Sequence, residues 1–210
     1  MDGLSRASRI AGVVAVLVAA VGIAGAMLAS PAFAVTGNAL SDLGQPGNRA
    51  ATPVTTLLFD GGLVLAGVVG LPFGATLWRE RTHSLEGIAA APFTVALLGM
   101  VGVGLFPAGR PLHVPAALTL YLASMVAMTV HGVGTALAGR RRRGALSLSL
   151  AGVHVAGWWW WAASGPVLRP GLAVPELLGA GVFAIWVLQT AGWPFRDETP
   201  VSNAATGPNS

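Results

Sequence analysis

Four histidines and eight carboxylates carry the acid–base and oxygen–nitrogen ligand chemistry available to this 210-residue chain. Several stand beside or inside long apolar stretches, where an ionisable group is costly and is by default a candidate functional residue. Asp60 lies about two helical turns into a stretch that opens near Val54. His113 heads another stretch, just after Arg110, and Glu176 opens the last one. His154 falls near the middle of a fifth, and Asp42 sits among Asn38, Ser41, Asn48 and Arg49 in the first connection. Brought together, they would offer an imidazole to give or take a proton, carboxylates to orient it or bind a metal, and a guanidinium to hold an anionic headgroup. In that arrangement His113, Asp60 and Glu176 are the catalytic candidates, and Asp42, Asp60, Arg110, His113 and His154 form the ligand-binding set. Each has a plainer alternative: Asp60 in an ion pair with Arg49 or Arg110, His113 and Glu176 as helix caps, His154 hydrogen-bonded within a bundle. His131 stands apart, eighteen residues and so about 27 Å along a helix from His113.

No spacing converts these residues into a known reaction. There is no His-Glu-x-x-His pair, and the chain has no lysine for a phosphate loop. Ser164-Gly165 does not extend to a nucleophile elbow. Cysteine is absent, which removes disulfides, thiolate nucleophiles and thiolate-bound metal. No metal site is assigned, and the residues do not name a cofactor, which stays unknown from the sequence.

The elements that must position these groups follow from composition. Hydrophobic residues make up 54% of the chain and charged residues 10%, well below the roughly 25% of soluble domains. Apolar stretches near 10–30, 54–78, 85–106, 113–138, 145–165 and 172–193 each reach the roughly 20 residues needed to cross a hydrocarbon core of about 30 Å. They are apolar on every face, so the two-residue alternation of a membrane barrel is missing and helices are expected. The prediction is an all-α, polytopic integral membrane protein: a six-transmembrane-helix bundle forming one domain over residues 1–195. The polar stretch 196–210 is expected to be a disordered tail. Glycines within the stretches, among them Gly61, Gly62, Gly67, Gly99, Gly102 and Gly104, read as packing surfaces, and Gly67, Gly70 and Pro72 as a kink. Trp158 to Trp161 read as an interfacial aromatic belt, mostly facing lipid.

Orientation comes from the arginines, the only basic side chains besides histidine. Arg6, Arg9, Arg79, Arg81, Arg140 to Arg143 and Arg196 fall on one set of alternate connections and ends, against Arg49, Arg110 and Arg169 on the other. That nine-to-three bias predicts both termini in the cytoplasm of a cell-membrane protein. It accounts for the net charge of +4 without nucleic acid. The Arg140 to Arg143 run could in addition hold anionic headgroups. Ala32-Phe33-Ala34 after the first stretch resembles a signal-peptide cleavage site, but the apolar run from Ile10 to Leu28 is longer than signal peptides carry and long enough to span.

Three short motifs carry a family resemblance: Ser41-Asp42-Leu43-Gly44, Phe59-Asp60-Gly61-Gly62-Leu63 with Gly67, and Gly104-Leu105-Phe106-Pro107 followed by His113. Together they resemble the membrane-protein family called domain of unknown function 998, from the first stretch to about Trp193. The resemblance implies six spans and no settled activity. It also implies that the position of Asp60 is often Asn in relatives, which weakens a catalytic carboxylate there. The expected function is an outward-facing polar site that binds a small ligand, a lipid headgroup or a partner. The alternative is an intramembrane enzyme acting on a lipid or isoprenoid at the outer leaflet. Transport ranks last, because His131 and His154 give too few polar steps for a relay. The expected partners are the lipid bilayer and a lipid or small-molecule ligand.

Overall fold

A computed structural model describes residues 3–165 and 169–192. Six long helices account for most of them: α1 (Gly3–Leu28), α2 (Pro53–Arg79), α3 (Ser84–Leu105), α4 (His113–Leu137), α5 (Arg141–Ala163) and α6 (Ala173–Ala191). No strand occurs among the described residues. The chain is therefore an α-helical membrane bundle. Helices satisfy their own backbone groups, which hydrocarbon cannot do for them. Five of the six, all but α5, are long and apolar enough to cross a membrane. α5 has the length, 23 residues, but opens on Arg141-Arg142-Arg143 and ends on four tryptophans. The polar stretch 196–210, expected as a tail, lies outside the described residues.

Each helix packs on the next in sequence, and α6 packs back on α1. Leucines and valines point outward along every helix, for example Leu17, Val21, Leu65, Leu98, Leu118, Leu122 and Val155. In water, that much contiguous apolar surface would drive aggregation, whereas in lipid it is the solvated face. The interior has a mid-height aromatic layer. Phe73 meets Phe93 edge-on at 5.5 Å, Phe93 lies 6.0 Å from Trp186, and Phe183 stacks on Trp186 at 5.8 Å. Trp186 and Phe73 are wholly buried.

α2 is the irregular helix. Thr52 caps it, its hydroxyl oxygen accepting from the Thr55 amide, and Pro53 follows at the first helical position. One turn later, Leu57–Gly61 winds as a π-helix. Further on, the backbone bonds tighten at Leu71 and Gly74, whose amides donate three residues back, and Pro72 supplies no donor. This interruption at Leu71–Pro72 falls where Gly67, Gly70 and Pro72 suggest a kink. Most of the span glycines are contact points, as their absent side chains suggest. Gly62 faces Gly22 on α1, Gly67 faces the Leu97–Val101 turn of α3, and Gly99 faces Leu120 of α4. Gly61 touches only its own helix.

The four tryptophans of α5 divide evenly. Trp159 and Trp160 are exposed to the lipid side. Trp158 packs 4.9 Å from the Tyr121 ring, and Trp161 donates its indole N–H to the Pro170 carbonyl while Arg169 lies over its ring.

Candidate functional site

At one end of the bundle the first connection folds into a lid held by side chains. Asp42 closes a 3-10 turn at Leu40–Leu43, its Oδ2 accepting from the Ala39 amide at 3.1 Å and the Asn38 side chain at 2.8 Å. Asn38 in turn accepts from the Ala34 amide. Thr55, fully buried on α2, donates to the Leu43 carbonyl at 2.8 Å, and Ser30 donates to that of Ala50. The lid is also laced to α6: Gly171 and Ala173 donate to the carbonyls of Thr36 and Asn38, and the Leu40 amide donates to Glu176 Oε2 at 2.7 Å. A carboxylate in the first turn of a helix meets the positive end of its dipole, so Glu176 is well placed to take this bond.

Below the lid, between α1, α2, α3, α4 and α6, lies a cavity of about 300 Å³. That is at the lower edge of the roughly 300–1,000 Å³ typical of small-ligand sites. Small residues make the room: Gly12, Ala15 and Ala19 on α1, and Gly179, Ala180 and Ala184 on α6. The walls are apolar over most of their length. Ser124 reaches them but spends its hydroxyl on the Tyr121 carbonyl. Ser41, His113 and Glu176 supply polar groups at the lid end. His113 has a defined tautomer: Nδ1 lies 2.8 Å from the Phe106 carbonyl oxygen, which can only accept, so Nδ1 carries the proton. In the neutral ring Nε2 is then an acceptor, on a side chain that lines the cavity.

The sequence candidates thus separate into groups. His113 and Glu176 line one cavity, with Asp42 one turn of lid behind Glu176. Asp60 is buried in the π-turn of α2 but does not line the cavity. Neither Arg49 nor Arg110 pairs with it; the two ion pairs among the described residues are elsewhere. Its Oδ2 is buried without a hydrogen-bond partner. Instead the carboxylate rests on Gly44, where a Cβ would overlap it, and Gly104 approaches its backbone carbonyl just as closely. The extra residue of the π-turn aims Asp60 at this spot. His154 lies behind the cavity wall, edge-on to Tyr121 at 5.8 Å and packed on Gly179, with neither ring nitrogen hydrogen-bonded. Arg110 is exposed on the turn before α4, does not line this cavity and enters no ion pair among the described residues. No group of three or more His, Asp and Glu among the described residues is arranged to hold a metal ion.

The opposite end holds a second, polar cavity of about 630 Å³, where the sequence offered a topology signal and, at Arg140 to Arg143, a place for anionic headgroups, but no enclosed site. Arg6, Arg9, Arg81, Arg140 and Arg143 line it together with Glu80, Glu86 and His131. Glu86 accepts from the amides of Thr82 and His83 and from Arg140, and Arg9 pairs with Glu80. The interleaving of Arg with Glu near the span ends was the available signal.

The geometry joins the three sequence motifs. Gly44 of the first and Gly104 of the third both close on Asp60 of the second, and His113 ties back to Phe106. Searches of curated proteins and of solved structures each gave no match. The family model described as "Protein of unknown function (DUF998)" matches residues 13–193, which takes in all three motifs, α1 from residue 13 onward and the whole of α2 to α6, and the chain belongs to that family.

Proposed function

We propose that this protein binds a lipid or isoprenoid chain within the bundle, with the polar end of the molecule at Ser41, His113 and Glu176. The observation that carries this reading is the polarity gradient of the 300 Å³ cavity: apolar along its length, with hydrogen-bonding groups where the lid meets it. An apolar cavity without polar walls stays dry and favours apolar occupants. Phe93 and Phe183 line this cavity and pack on Trp186, whose other neighbour His131 lines the polar one, so aromatic rings occupy the ground a solute path would have to cross.

The reading includes six spans in one domain, both termini in the cytoplasm and the lid on the outer face of the cell membrane. The arginine bias supports the orientation. An active reporter fused after Gly192 and detected only outside the cell would reverse it. Ligand binding is tested by purifying the protein in mild detergent and identifying retained lipid by mass spectrometry. Ala180→Trp, which fills the cavity, is expected to abolish retention while the protein remains folded. Retention equal to that of the unaltered protein would refute the assignment.

The enzymatic reading draws support from one feature, the fixed tautomer of His113 beside the cavity. If the bound lipid is turned over, His113→Ala stops turnover while retention, which also draws on Ser41, Glu176 and the apolar walls, falls only in part.

A further inference from the structure

We propose that the polar cavity at the arginine end is a binding site for a phosphate-bearing anion. It is independent of the apolar cavity and lies on the other side of the aromatic layer. Five arginines meet two glutamates there, and both glutamates are already engaged, Glu80 by Arg9 and Glu86 by Arg140. Arg6 and Arg81 have no carboxylate partner among the described residues. Arg81 is nonetheless held in place, its guanidinium 4.1 Å from the Trp78 ring and donating to the Trp78 carbonyl. A guanidinium anchored in this way presents its remaining N–H groups in a fixed fork, the geometry that suits phosphate oxygens.

Two further observations point to a missing acceptor. Arg140 spends Nη2 on Glu86 and Thr82, yet its Nε is buried with no partner. α5 also begins at this cavity with three arginines in its first turn, no acidic residue and no side-chain cap. The first-turn amides and the positive end of the dipole there favour an anion, and the arginines add to rather than offset that field. At the cavity floor His131 is nine-tenths buried, edge-on to Trp186 at 5.4 Å, and no described residue hydrogen-bonds its Nε2.

Topology alone does not explain this arrangement. A positive-inside bias needs arginines near span ends, and Arg79, Arg141 and Arg142 meet it without lining the cavity, although Arg6, Arg81 and Arg143 are as exposed as they are. It does not need Arg6 and Arg9 of α1, Arg81 of the α2–α3 connection and Arg140 and Arg143 of the α4–α5 boundary to face one cavity.

The phosphate could belong to a free anion or to the phosphomonoester headgroup of a lipid in the adjoining leaflet. The full chain in detergent is titrated with inorganic phosphate against chloride at equal ionic strength, and reconstituted in nanodiscs of phosphatidylcholine with or without phosphatidic acid. Thermal unfolding is the readout. A saturable rise in midpoint with inorganic phosphate assigns the site to a free anion. A rise confined to the phosphatidic acid nanodiscs assigns it to the lipid headgroup. Either effect is expected to weaken about tenfold or more in Arg6→Gln and Arg81→Gln, which break no ion pair and leave Glu86 and Glu80 compensated. Equal midpoints in phosphate and chloride and in both nanodiscs, or effects untouched by these variants, would overturn the proposal.

Discussion

Glu86 and Glu176 are both buried carboxylates in the first turn of a helix, at opposite ends of the bundle, and they are treated in opposite ways. Glu86 is surrounded by donors: the Thr82 amide at 2.7 Å, the His83 amide at 3.2 Å, the Thr82 hydroxyl at 3.1 Å and the Arg140 guanidinium. Glu176 receives one backbone amide, from Leu40, and no arginine. A carboxylate that saturates its lone pairs within the protein is a structural clamp. One that keeps capacity unspent on the wall of a cavity is available to something else. The same residue type therefore fastens α3 to the α4–α5 boundary at one end and faces a candidate ligand at the other.

Substitution should separate the two roles sharply. The largest effect is expected for Glu86→Ala, which removes the acceptor of the Thr82 and His83 amides at the α3 cap and the partner of the half-exposed Arg140, at about 2–3 kcal/mol of stability. Unfolding in detergent measures it, and a loss below that of Glu176→Ala would break the contrast. Glu176→Ala should cost about 1–2 kcal/mol, the worth of one charge-assisted bond to the lid, yet abolish lipid retention. Full retention would show that Glu176 is no more than a tether. The smallest effect is expected for Glu80→Gln. It removes a pair whose side chains are about 30% exposed, so less than about 1 kcal/mol is expected, shrinking further with added salt.

The fold was legible because it rests on composition: apolar runs of spanning length admit few structures besides helices. The sites were less so, since each depends on one long-range approach. Asp60 read as a catalytic or ligand-binding candidate, with an ion pair to Arg49 or Arg110 as the plainer alternative that charge and loop proximity suggest. The π-turn and the missing side chain at Gly44 place it differently, and neither is visible as a periodicity. Asp42 is the converse case, for its bonds to Ala39 and Asn38 are local and short in sequence. Glu86 escaped notice altogether. Its partner Arg140 is 54 positions away and looked like one member of a uniform arginine run. In the structure Arg140 turns inward, whereas Arg141 and Arg142 stay exposed.

A π-turn is an α-helix carrying one supernumerary residue, and its cost is tolerated where a side chain must be re-aimed. Removing one residue from Leu57–Gly61 would restore a regular helix and leave the segments on either side near their present register, because the wide turn absorbs the extra residue locally. The wide turn of α2 is thus the point at which the three motifs meet. A one-residue deletion there would keep the span long enough for the bilayer while carrying the residue at position 60 away from Gly44, so that length and placement in this helix can be altered one without the other.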